Sequence, residues 1–77
     1  MLMTNELTPL AVFILDTLEA RRGVWLTRQE IASAIGRPAR LTPHDIDLLE
    51  TLVTAGRVEK SERQTGVVQT AYIYRIK

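Results

Sequence analysis

With 77 residues, 45% hydrophobic and 25% charged, and a formal net charge of +1, the chain has the composition of one small globular domain, far from that of disordered chains. It has no cysteine, which excludes a disulfide framework and a thiolate metal site, and its longest apolar run, Leu10 to Leu15, is far short of the roughly 20 residues of a membrane-spanning helix. A single domain over residues 1–77, held by packing alone and cytoplasmic, is expected.

The dipeptide Leu-Thr recurs at 7–8, 26–27 and 41–42, each time before a helical pattern. A threonine N-cap accepts a bond from an orphan backbone N–H while the preceding leucine packs on the first turn, here on Val12, Ile31 or Ile46. Pro9 and Pro43 fit the first helical position, and Glu30 completes a capping box with Thr27. The first helix is predicted from about Thr8 to Arg22, stopping at Gly23. Leu7, Leu10, Ala11, Ile14, Leu15 and Leu18 share one face, and Val12 and Phe13 fall on either side of it. Phe13 is covered either by the sheet or the N-terminal tail, or by a second copy in a homodimer through Val12 and Phe13.

Val24-Trp25-Leu26 suits a short edge strand, and a second helix follows over Thr27–Ile35, ended by Gly36. Arg37 to Leu41 reads as a turn, and the third helix runs from Pro43 to about Ala55 with Ile46, Leu49, Leu52 and Val53 as its buried stripe. Asp45 in its first turn complements the helix dipole. Beyond Gly56 the pattern becomes extended: strands are predicted over Arg57–Glu62 and Val67–Ile76, joined by Arg63-Gln64-Thr65-Gly66, with Gly66 supplying the positive φ of a hairpin turn. Charge is uneven, because residues 57 to 77 carry Arg57, Lys60, Arg63, Arg75 and Lys77 against only Glu59 and Glu62, a local +3.

In order, these elements are helix, short strand, helix, turn, helix and hairpin. The stretches LTRQEIASAIG, LLETLVTAGRVEK and TAYIYRIK resemble the second helix, the end of the third helix with the first wing strand, and the second wing strand of the winged helix-turn-helix family, as in MarR-like and ArsR-like bacterial regulators. The resemblance covers about residues 24–77. Gly36 and Gly56 lie 20 residues apart, a few more than is usual there, with the excess in the turn. The resemblance implies an α+β winged-helix fold, three helices with a small antiparallel sheet, and binding of double-stranded DNA as a small transcriptional regulator; a protein-interaction module is the alternative. It places His44, Asp47 and Thr51 in the major groove with Thr42 at the helix tip, and assigns phosphate contacts to Arg28, Arg37, Arg40, Lys60, Arg63, Gln64 and Thr65.

Several of these residues have plainer readings. Asp47 either accepts a bond from a cytosine amino group or is simply solvated. His44, the only histidine, suits an exposed polar position, and no metal or cofactor is expected. Trp25 plugs the core or sits at an interface, while Tyr72 and Tyr74 share a strand face packed on the helices or stack on bases. Glu59 and Glu62 among Arg57, Lys60 and Arg63 offer cross-strand charge pairing instead of phosphate contacts. No nucleophile, base or phosphate-loop pattern points to an enzyme.

Overall fold

All three threonines cap helices in the computed structural model, which describes residues 8–77. Thr8 Oγ1 accepts from Ala11 N–H at 3.2 Å and starts α1 (Pro9–Glu19). Thr27 and Glu30 exchange bonds of 3.1 and 2.8 Å in the expected capping box, starting α2 (Arg28–Ala34). Thr42 and Asp45 form a second box, at 3.1 and 2.9 Å, that starts α3 (Pro43–Thr54). Leu26 and Leu41 are buried in the core with Ile31, and Ile46 packs against it, as stapling requires. The Leu7–Val12 staple lies outside the described residues.

The helices stop where glycine allows the chain to turn. At Gly36 (φ 86°) and Gly56 (φ 79°) the next residue's N–H reaches back to the third-last helical carbonyl, Arg37 to Ala32 at 2.8 Å and Arg57 to Leu52 at 2.9 Å. Helix α1 ends at Glu19, three residues earlier than its pattern suggests, because Arg21 and Arg22 bond three residues back rather than four and tighten the last turn.

The sheet comprises β1 (Leu26–Thr27), β2 (Val58–Gln64) and β3 (Thr70–Ile76), antiparallel, in the spatial order β1-β3-β2. Tyr74 on the central strand faces Leu26 on one side and Lys60 on the other. The core lies between this sheet and the helices: Ile14 and Leu18 of α1, Ile31 and Ile35 of α2, Leu49 and Leu52 of α3, and Val58, Tyr74 and Ile76 of the sheet. Three helices and a three-stranded antiparallel sheet in this order are compatible with a winged-helix topology. Among the described residues no helix is long and apolar enough to cross a membrane.

Three local expectations are corrected. The first strand starts at Leu26, so Val24 and Trp25 precede it; Trp25 is half-buried beneath Arg75, whose guanidinium lies 4.3 Å from the ring, instead of plugging the core. The hairpin ladder closes at Gln64–Thr70, leaving Val67 and Val68 out of the strand and almost fully exposed. The five-residue loop between is stitched by Gln64, whose amide donates to the carbonyls of Gly66 at 2.8 Å and Val67 at 3.2 Å, and Gly66 does not take a positive φ.

The long turn before α3 is anchored. Arg37 donates to both carboxylate oxygens of Asp45 at 2.8 Å, and Asp45 is fully buried. The bond from Arg37, helped by those from Thr42, outweighs burial and holds the Asp45 carboxyl down at about 2. Because that lies below its ordinary value of 3.8, the stabilisation is complete above about pH 4 and lost as pH falls towards 2. Arg37→Met should lower stability to urea at pH 7, because it leaves the buried Asp45 carboxylate without its cation, and its deficit should narrow between pH 4 and pH 2. A variant as stable as the parent at pH 7 would show that the pair does not hold α3.

Candidate nucleic-acid interface

Helix α3 has two unlike faces. Leu49 and Leu52 are fully buried, Ile46, Leu48 and Val53 half-buried, and His44, Asp47 and Thr51 exposed together with the cap Thr42. The hydroxyl of Thr51 donates to the Asp47 carbonyl at 2.8 Å. The face is thus accessible, polar and acidic, with no cation of its own.

Between this face and the sheet lies a cluster centred on Glu50. Its Oε2 accepts from the Tyr74 hydroxyl at 2.7 Å and from Arg28 at 3.3 Å, and Lys60 Nζ donates to Oε1 at 3.0 Å. Arg28 also donates to the Tyr74 oxygen at 3.0 Å. Tyr72 lies against the same two cations, with Lys60 Nζ 4.1 Å and the Arg28 guanidinium 4.9 Å from its ring centre. Burial alone would raise the Glu50 carboxyl, but the Tyr74 bond and the two cations, Lys60 foremost, hold it below its usual range. Burial, reinforced by the bond to Glu50, pushes the Tyr74 phenol up to about 12.

The expected phosphate contacts therefore divide into two groups. Arg28, Lys60 and Arg37 are each paired with a carboxylate inside the domain. Arg40 and Arg63 are exposed and make no ion pair among the described residues. Arg63 and Gln64 sit in β2 opposite Ala71 and Thr70, and Thr65 begins the loop. Two open clefts, of about 570 and 520 Å³, are both lined by Arg28 and Gln29; one is also lined by Arg40, Leu41 and Ile46, the other by Thr65, Thr70 and Tyr72 of the hairpin. The start of α2 thus links the turn before α3 with the hairpin along one face. On α1, Val12 and Phe13 are 39% and 48% exposed, so the described residues leave Phe13 largely uncovered.

Glu50, Tyr74 and the buried role of Asp45 are what reading by position misses. One signal was available: a tyrosine alternating with Ile76 on a core-facing strand must find an acceptor for its hydroxyl. The chain matches no family model, no curated protein and no solved structure.

Replacing Glu50 with glutamine should lower stability by about 1 kcal/mol, less than for a fully buried pair because the carboxylate is a third exposed. Ultraviolet titration should place Tyr74 ionisation near pH 12, so that stability contributed by its neutral form is complete below about pH 10 and lost as pH rises towards 12. Glu50→Gln should move that ionisation downward; an unchanged titration would remove Glu50 from the cluster's centre.

Proposed function

We propose that the chain is a winged-helix domain that binds double-stranded DNA as a small transcriptional regulator, with α3 in the major groove and the hairpin along the backbone. The observation that carries this reading is the exposed polar face of α3, with Arg40 preceding the helix and Arg63 on the hairpin both without an ion pair among the described residues. Two clefts that share Arg28 and Gln29 in their linings support it, because one borders the turn before α3 and the other the hairpin. The role is one of binding, not catalysis.

Internal pairing of Arg28, Lys60 and Arg37 limits how many phosphates the domain neutralises. With Arg40 and Arg63 as the expected phosphate contacts that have no ion pair among the described residues, and partial contributions from the paired cations, the logarithm of affinity should fall with the logarithm of salt at a slope of about −2 to −4 per domain, shallow for a DNA-binding protein. One observation favours a second reading, a protein partner docked on α3: its outer face carries Asp47 and no cation.

Fluorescence anisotropy with labelled duplexes over a salt series separates the two. Arg40→Ala and Arg63→Ala should each weaken binding and make the slope shallower by about 1, and Asp47→Asn should strengthen non-specific binding. Absence of binding to any duplex at low salt would discard the DNA reading in favour of the protein partner.

A further inference from the structure

We propose that β2 is a dimerisation edge, along which two copies of this chain join their sheets in antiparallel fashion about Ser61. The sheet order leaves one side of β2 without a strand. Beyond the two residues of β1, which pair only with Ile73 and Tyr74, the hairpin from Glu62 to Tyr72 is a bare two-stranded ribbon, and residues 61–70 are all exposed. Such a ribbon is marginal in water by itself, and its open edge offers a row of unpaired backbone donors and acceptors.

The order of charges selects the occupant. The strand reads VEKSERQ. Across a two-fold axis at Ser61, Lys60 faces the partner's Glu62 and Glu59 faces the partner's Arg63, and the symmetry repeats both pairs, so every charge meets its opposite. Slipping one residue sets Glu59 against Glu62 or Lys60 against Arg63. Slipping two sets Lys60 or Glu62 against itself. Charges on an edge strand prevent self-pairing only where like charges meet, and in the Ser61-centred register none do.

Among the described residues Glu62 and Arg63 have no ion pair, so this register supplies them with partners. Lys60 and Glu59 already touch Glu50 and Arg75 and would be shared, because their side chains remain 28% and 35% exposed. The even register also keeps the helix-bearing faces of both sheets on one side. Two copies of α3 are then related by a two-fold axis, the symmetry of a palindromic duplex site, although the pairing itself requires no DNA.

Sedimentation equilibrium of the full chain at low salt tests this. The parent should dimerise; Glu62→Lys should weaken the dimer about tenfold by turning two opposite pairs into like ones, and Lys60→Glu should do the same. Mixing the two variants should restore a heterodimer, in which every pair is again opposite. Should Lys60→Glu fail to fold for want of its bond to Glu50, Arg63→Glu, at an exposed and unpaired position, must weaken the dimer instead. A parent monomeric at all concentrations overturns the proposal. So does a dimer lost on Phe13→Ser but indifferent to Glu62→Lys, which would move the interface to α1. Neither result decides whether a single domain binds duplex, which the anisotropy series reads separately.

Discussion

One carboxylate, that of Glu50, sits where α2, α3 and both long strands converge, and the orientation of α3 depends on it. Tyr74 is fully buried and its hydroxyl needs an acceptor; Arg28 and Lys60 approach the same point and would repel one another across it. A neutral residue in place of Glu50 would leave two cations and a phenol around an empty centre. With the carboxylate present, each of the four elements is bonded to α3 or belongs to it. Tyr72 adds a ring beneath the two cations, which keeps their side chains from extending freely into solvent.

The Arg37–Asp45 pair does for the start of α3 what Glu50 does for its middle. A lengthened turn between helices would ordinarily leave the second helix free to pivot. Here Arg37 bonds back to α2 through its backbone and forward to α3 through its side chain, while Leu41 is buried. The turn is long but fixed at both ends, so α3 presents His44, Asp47 and Thr51 in one arrangement before any partner arrives. Preorganisation of this kind reduces the ordering entropy that binding must overcome.

What could be read from the sequence follows the range of each interaction. The caps were readable because donor and acceptor lie three residues apart, and the glycine stops because a positive φ is a property of one residue. The Glu50 cluster was not: its partners are 22 and 24 residues away in Arg28 and Tyr74, and nothing local announces their approach. Asp45 illustrates the boundary, since its place in the first turn is visible in the sequence whereas its burial and the pairing that makes burial tolerable are tertiary. The hairpin failed for a different reason. Gly66 looked like the turn residue, but the Gln64 side chain satisfies the loop carbonyls and the loop closes without it, carrying two valines outward. On α3, the outward placement of His44, Asp47 and Thr51 follows from periodicity alone; the neutralisation of Arg28, Lys60 and Arg37 does not.

That neutralisation bears on how a domain with ten basic and nine acidic residues could bind a polyanion selectively. If Arg28, Lys60 and Arg37 were free, attraction to phosphate would be strong and indifferent to sequence. Under the proposed DNA-binding reading, tying them to Glu50 and Asp45 weakens attachment to arbitrary duplexes, and Asp47 on the exposed face of α3 adds repulsion wherever no base donor compensates it. Under the DNA-binding reading, selectivity then comes from rejecting wrong sites more than from gripping the right one, and a single domain with so few free cations would hold even a correct site weakly. Pairing two domains along β2 answers that weakness, because linked contacts on two half-sites multiply affinity without adding any phosphate contact to either domain. The charges that weaken one domain on DNA, Glu59 and Glu62, are the same ones that the two-fold register requires.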